Sequence, residues 1–180
     1  IERAALEVFV RDGVDGATTR AIATQAGVSE GALYRHYRSK DELAITLFMT
    51  VHRRLSGLIE ESAASAVGIK AKAAAIVAAY CQVADEDWLT FSFHLTQIHR
   101  FIPYYQEDGR DPVSVVEAVI KQAMITAELP PADPRVLAAM AIGVITQTAQ
   151  NKAYGRIGDD PLSAHALLMT AAVQAVLFAR

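Results

Sequence analysis

The 180-residue chain is predicted to be all-α, with about nine helices, on three observations. Hydrophobic residues make up 52% of it and run in long Ala, Val, Ile and Leu stretches, without the alternation of a strand. Apolar residues recur three and four positions apart. Helix punctuation is also frequent: hydroxyl and carboxylate residues stand just ahead of apolar series, glycines just behind them, and Asp-Pro occurs three times.

The elements follow in order. Ala5, Leu6, Phe9 and Val10 give a first helix that stops at Gly13. Thr18 and Thr19 can cap a short second helix carrying Ile22, Ala23 and Ala26, closed by Gly27 in the left-handed conformation. Ser29 can cap a third, with Leu33 and Tyr37 on one face. Ser39-Lys40-Asp41-Glu42 has the capping-box pattern, hydroxyl first and carboxylate three later, ahead of Leu43, Leu47, Phe48, Val51 and Leu55. Helices follow near 69–85 and 88–102. Asp111-Pro112, Asp133-Pro134 and Asp160-Pro161 each pair an N-cap carboxylate with a proline preset for a first turn. No strand signal or internal repeat stands out.

Composition narrows the function classes. Net charge is −3, unfavourable for a nucleic-acid binder, yet its distribution is uneven. Residues 1–54 hold eight Lys/Arg against seven Asp/Glu, and the rest nine against thirteen. A single cysteine, Cys81, in an apolar run fits a reduced, cytoplasmic setting. Leu162 to Ala179 carries no charged residue, but Ser163, His165, Thr170 and Gln174 interrupt it, so a buried helix is expected rather than a membrane span. No phosphate loop, nucleophile elbow or HExxH motif occurs, so no enzyme is expected. His94 and His99 do not share a helical face, so no metal pair is expected, and no cofactor.

The segment Thr19 to Tyr37 reads as helix, glycine turn, helix, with Ile22, Ala23, Val28 and Leu33 as its small core. In such a unit the second helix enters the DNA major groove. Tyr34, Arg35, His36 and Lys40 suit that surface: a phenol donates to a phosphate oxygen, and cations displace condensed counterions.

TTRAIATQAGVSEGALYRHYRSKDEL closely resembles the DNA-binding motif of the TetR (tetracycline repressor) family of bacterial transcription regulators, and ALEVFVRDGVDGATT resembles that family's first helix and lead-in. Family members often carry a basic arm ahead of that helix; the sequence here starts at Ile1. The resemblance implies a three-helix helix-turn-helix DNA-binding domain (1–42) and a helical ligand-binding and dimerisation domain (43–180). It implies Thr19 on a phosphate, Arg20 reaching a guanine, and Glu30, Gly31 and Ala32 at the base-reading end. Tyr34, His36 and Lys40 would hold phosphates, while Tyr37 packs inward. For Glu30, base reading and simple complementation of the helix end both stay open.

Val136 to Asn151 and Leu162 to Ala179 are apolar nearly all round, as helices with neighbours on both sides must be. The resemblance implies that the last two helices, about 134–153 and 161–180, form a four-helix bundle in a homodimer. Two reading heads would then meet a palindromic double-stranded operator. Trp88, Phe91, His94, Leu95, Ile98 and Tyr104, with Gln147 and Asn151, are candidate ligand-binding residues for a small apolar or aromatic effector. The expected function is a ligand-responsive repressor, released from DNA by the effector. The alternative is a helical ligand-binding or carrier module of the same fold without DNA binding.

Overall fold

The computed structural model describes residues 1–102 and 111–179. Among the described residues the protein is all-α, with nine α-helices and no strand. They are α1 (Glu2–Gly16), α2 (Thr19–Ala26), α3 (Glu30–His36), α4 (Lys40–Ser65), α5 (Ile69–Glu86), α6 (Trp88–Phe101), α7 (Pro112–Ile125), α8 (Pro134–Ala153) and α9 (Ala166–Leu177). A 3-10 turn, Leu162–His165, precedes α9.

Most predicted boundaries recur for the predicted reasons. Helical geometry in α1 breaks at Gly13, which takes φ 73° and ψ 161°. Thr18 caps α2, accepting from the Ala21 N–H at 3.1 Å, and Ser29 caps α3, accepting from Ala32 at 3.2 Å. Gly27 closes α2 at φ 67°, with Val28 N–H on the Ala23 carbonyl and Gly27 N–H on that of Thr24. Ser39 accepts from the Glu42 N–H at 3.0 Å, but the Glu42 carboxylate reaches back to the Arg38 N–H, one residue earlier than the capping box expects.

Two of the three Asp-Pro pairs start helices as predicted. Asp111 accepts from the N–H groups of Val113 and Ser114, and Asp133 from that of Arg135. The third differs. The Leu162 and Ser163 N–H groups bind the carboxylate of Asp85 on α5, at 2.6 and 3.0 Å. A carboxylate brought from 77 residues away thus replaces the local cap, and the segment opens as a 3-10 turn instead of one helix from Pro161. What remains, α9, is twelve residues long, and among the described residues no helix is long and apolar enough to cross a membrane.

The chain folds as two compact units. The first contains α1, α2, α3, the start of α4 through Val51, and α6. Its core joins Ala5, Val8 and Phe9 of α1 to Ile22 of α2, Leu33 of α3, Leu43, Leu47 and Phe48 of α4, and Phe93 and Phe101 of α6. Val28, expected in this core, is instead exposed at the turn. Phe9 stacks on Phe93 with ring centroids 5.7 Å apart, and Phe48 on the His94 ring at 4.6 Å. Salt bridges fasten both ends of α6: Arg3 of α1 to Asp87, which also caps α6, and Arg100 to Asp15 and Asp41. The Arg100 guanidinium holds the Asp15 carboxyl below the usual carboxylate range.

The second unit holds the remainder of α4 with α5, α7, α8 and α9. There α7 packs on α8, α8 on α9, and α9 on α5. His52 is 3% exposed in it, and burial pushes its imidazole below the ordinary range, with Asp111 opposing. The unfolded imidazole, with its pKa of about 6.5, therefore binds more protons than the folded one, so stability falls as pH drops below about 6.5. Urea midpoints between about pH 7.5 and 5.5 are expected to decline, and His52→Gln is expected to flatten that decline. An unchanged slope in the variant would assign the acid sensitivity elsewhere.

Candidate nucleic-acid interface

Capping and packing together fix the α2–α3 pair. The Ser29 cap starts α3 sharply after the Gly27 turn, and Ile22, Ala23 and Leu33 are buried beneath it. α3 is only seven residues long, too short to hold itself as an isolated helix, so its shape depends on that burial. What it leaves outside is polar and basic. Arg20, Glu30, Gly31, Tyr34, Arg35 and His36 are exposed, with Thr19 and Ala32 half-buried.

Eight of the nine DNA-contact candidates therefore lie on α2 and α3, linked by hydroxyl groups. The Thr19 hydroxyl donates to Glu30 Oε2 at 3.0 Å, and the Tyr34 hydroxyl donates to Thr19 Oγ1 at 3.5 Å. Tyr37 turns the other way: it is half-buried against the core and donates to Glu2 at 2.6 Å. Burial and then the Glu2 carboxylate push its phenol up to about 12.

Lys40 is placed differently from its expected phosphate contact. Its ammonium donates to the carbonyls of Val14, Asp15 and Ala17, at 2.7, 2.9 and 2.8 Å. Those three bonds use all its protons and close the corner between α1 and α2. Sequence reading missed this because the lysine and the carbonyls lie 23 to 26 residues apart, with no local pattern joining them.

Gly31 carries information of another kind. A Cβ built there would meet only Ser29 Oγ, at 3.9 Å, so nothing within the chain requires glycine at an exposed helical position. Its presence lowers helix stability by about 1 kcal/mol relative to alanine without improving any internal contact.

Seven of the eight candidate ligand residues are among the described residues, and they are divided between the two units. Phe91, His94 and Leu95 are buried in the first unit, where Trp88 and Ile98 are half-buried. Gln147 and Asn151 belong to α8 of the second unit, where the Asn151 amide donates to the Gln147 carbonyl. Tyr104 lies outside the described residues. A different apolar cavity sits within the second unit, between α5, α7, α8 and α9. Its walls include Ile76, Val77, Val116, Ile120, Ile145 and Val173, and every lining residue is aliphatic. It has a volume of about 30 Å³, room for little more than a water molecule.

The last two helices are each buried on one face only. The outward side of α8 presents Val136 and Met140, with Tyr154 just beyond, and that of α9 presents Leu167 and Leu168. Leu167 is 89% exposed and Leu168 73%, so neither packs into its own unit.

The sequence model described as "Bacterial regulatory proteins, tetR family" matches residues 1–47. Over 62 residues the chain is 39% identical to the nucleoid occlusion factor SlmA of Actinobacillus pleuropneumoniae, a match covering 32% of this chain and 31% of that protein. Over 41 residues it is 51% identical to the tetracycline repressor protein class A from transposon 1721 of Escherichia coli, covering 23% and 19%. The chain thus matches only about a third or less of these relatives' lengths. The fold extends further. The fatty acid degradation regulator FadR of Bacillus halodurans superimposes with a TM-score of 0.79 over 98% of this chain and 92% of that one, at 19% identity.

Proposed function

We propose that the chain, whose residues 1–47 match the tetR family of bacterial regulatory proteins, is a ligand-responsive transcriptional repressor of that family, binding a palindromic operator as a homodimer. The exposed face of α2 and α3 carries the proposal. It gathers Arg20, Arg35 and His36 with the Tyr34 phenol around Gly31 and Ala32, on a helix held by a buried core. Arg20 would read a guanine edge, His36 would hold a phosphate, and the N–H groups at the start of α2 would take another. At Gly31 the backbone would come close to the bases. That supplies a reason for a glycine the chain itself does not need.

The apolar outer faces of α8 and α9 support dimerisation through a two-fold, self-complementary contact. Such a dimer would present two heads to half-sites roughly 34 Å apart. For the effector, the all-aliphatic cavity of the second unit favours a small apolar molecule. Because the cavity has room for little more than a water molecule, a larger ligand must part the helices around it. A ligand that binds the parted state about 100-fold better would weaken operator binding by up to about 2.7 kcal/mol per site.

Gel shift on the intergenic DNA upstream of the protein's own gene tests this reading. Affinity is expected to fall on the order of a thousandfold between about 50 and about 200 mM salt, because neutralised phosphates release counterions. Absence of salt-sensitive binding would instead favour the ligand-carrier alternative. The same assay tests Gly31. Gly31→Ala is expected to stabilise the fold by about 0.5–1 kcal/mol and to weaken operator binding about tenfold. Unweakened binding would remove the close approach.

A further inference from the structure

We propose that Glu30 selects a cytosine in each half-site, its carboxylate accepting a hydrogen bond from the cytosine amino group, and that Thr19 serves to aim it. This rests on the DNA-binding reading above and names one of the bases read.

Glu30 is exposed on the first turn of α3, but it is not needed to cap that helix, because the Ser29 hydroxyl already accepts from the Ala32 N–H. Among the described residues no ion pair reaches it. What holds it is the Thr19 hydroxyl, 3.0 Å from Oε2, across the gap between α2 and α3. A hydroxyl has a single proton, so the one given to Glu30 cannot also go to a phosphate. The Tyr34 hydroxyl then fills an acceptor position on Thr19 Oγ1. Donation therefore runs from Tyr34 to Thr19 to Glu30 and ends at the carboxylate, which keeps Oε1 for an outside donor.

An ionised carboxylate only accepts. In the major groove, guanine offers two acceptors and thymine offers O4, so both meet Glu30 with like polarity. Adenine sets N7 beside its amino group, an arrangement that suits an amide able to donate and accept together. Cytosine presents its amino donor without an adjacent acceptor. A carboxylate beside the DNA backbone is also repelled at every site, so it weakens binding wherever no amino group compensates. Immobilising Glu30 through Thr19 lowers the conformational entropy lost when that contact forms.

Selection of duplexes from a pool with a randomised core, using the full chain, tests the assignment. The parent protein is expected to favour cytosine about tenfold at one symmetric position per half-site. Glu30→Ala and Glu30→Gln should abolish that preference and leave the other positions as they were. Thr19→Val should weaken it at the same position, and Thr19→Ser should restore it. If Glu30→Ala leaves the profile unchanged, or raises affinity equally for every sequence, the assignment is overturned and Glu30 acts only through its charge. If Thr19→Val lowers affinity uniformly with the cytosine preference intact, the aiming role is overturned and the hydroxyl is a phosphate contact. Failure of the parent to select any sequence would overturn the DNA-binding reading itself, an outcome distinct from a flat profile in the Glu30 variants alone.

Discussion

On the proposed homodimer, Leu167→Glu and Leu168→Glu are expected to sediment as monomers at concentrations where the parent chain would sediment as a dimer, and to lose operator affinity by about a hundredfold or more. The expectation follows from where the two side chains stand. Both are largely exposed within one chain, so a glutamate at either position removes almost no internal packing and should leave helical content intact. In a two-fold contact the substitution acts twice, because each copy brings the same residue to the same interface. Burying an unpaired carboxylate there costs several kcal/mol, and each 1.4 kcal/mol is about a factor of ten in the association constant. Loss of the second head would then remove the contribution of one half-site. A variant that stays dimeric would place the interface elsewhere than on the outer side of α9.

The second large effect belongs to Lys40. Lys40→Met keeps most of the aliphatic stem but strips three bonds from the carbonyls of Val14, Asp15 and Ala17. Bonds from a charged donor to carbonyls, two of the three part-buried, are among the stronger hydrogen bonds in a protein, so a stability loss of about 2–3 kcal/mol is expected. Denaturant titration of the full chain measures it. A lysine reserved for phosphate would give the opposite pattern: unchanged stability, weaker DNA binding and a shallower salt dependence. The two roles therefore separate on the protein alone, before any DNA is added.

These two sites mark the reach of sequence reading. Helix ends were legible wherever both partners lie within one turn. Gly27 closes α2, Ser29 opens α3, and Asp111 and Asp133 open α7 and α8, each through a bond spanning two to five residues. The chemistry of the α2–α3 face was legible for the same reason, since the side chains of a short helix are ordered by its own pitch. What escaped depends on distant partners. Asp85 takes over the cap expected of Asp160, and Arg3 meets Asp87 across 84 residues. Of the α6 residues expected to line a ligand pocket, His94 stacks on Phe48 and Ile98 packs against the core of the first unit. Spacing shows that a face will be covered and leaves open what covers it.

That last placement bears on how this protein can be taken apart. A fragment ending at Val51 would keep α1, α2 and α3 but lose α6, and with it the rings against Phe9 and Phe48 and the guanidinium between Asp15 and Asp41. Two of the largest buried side chains of the unit would then face water. The portable module is thus discontinuous in the chain. A chimera meant to graft this specificity onto another regulator must carry α6 along with the first fifty or so residues, or supply a replacement with phenyl groups at the matching places.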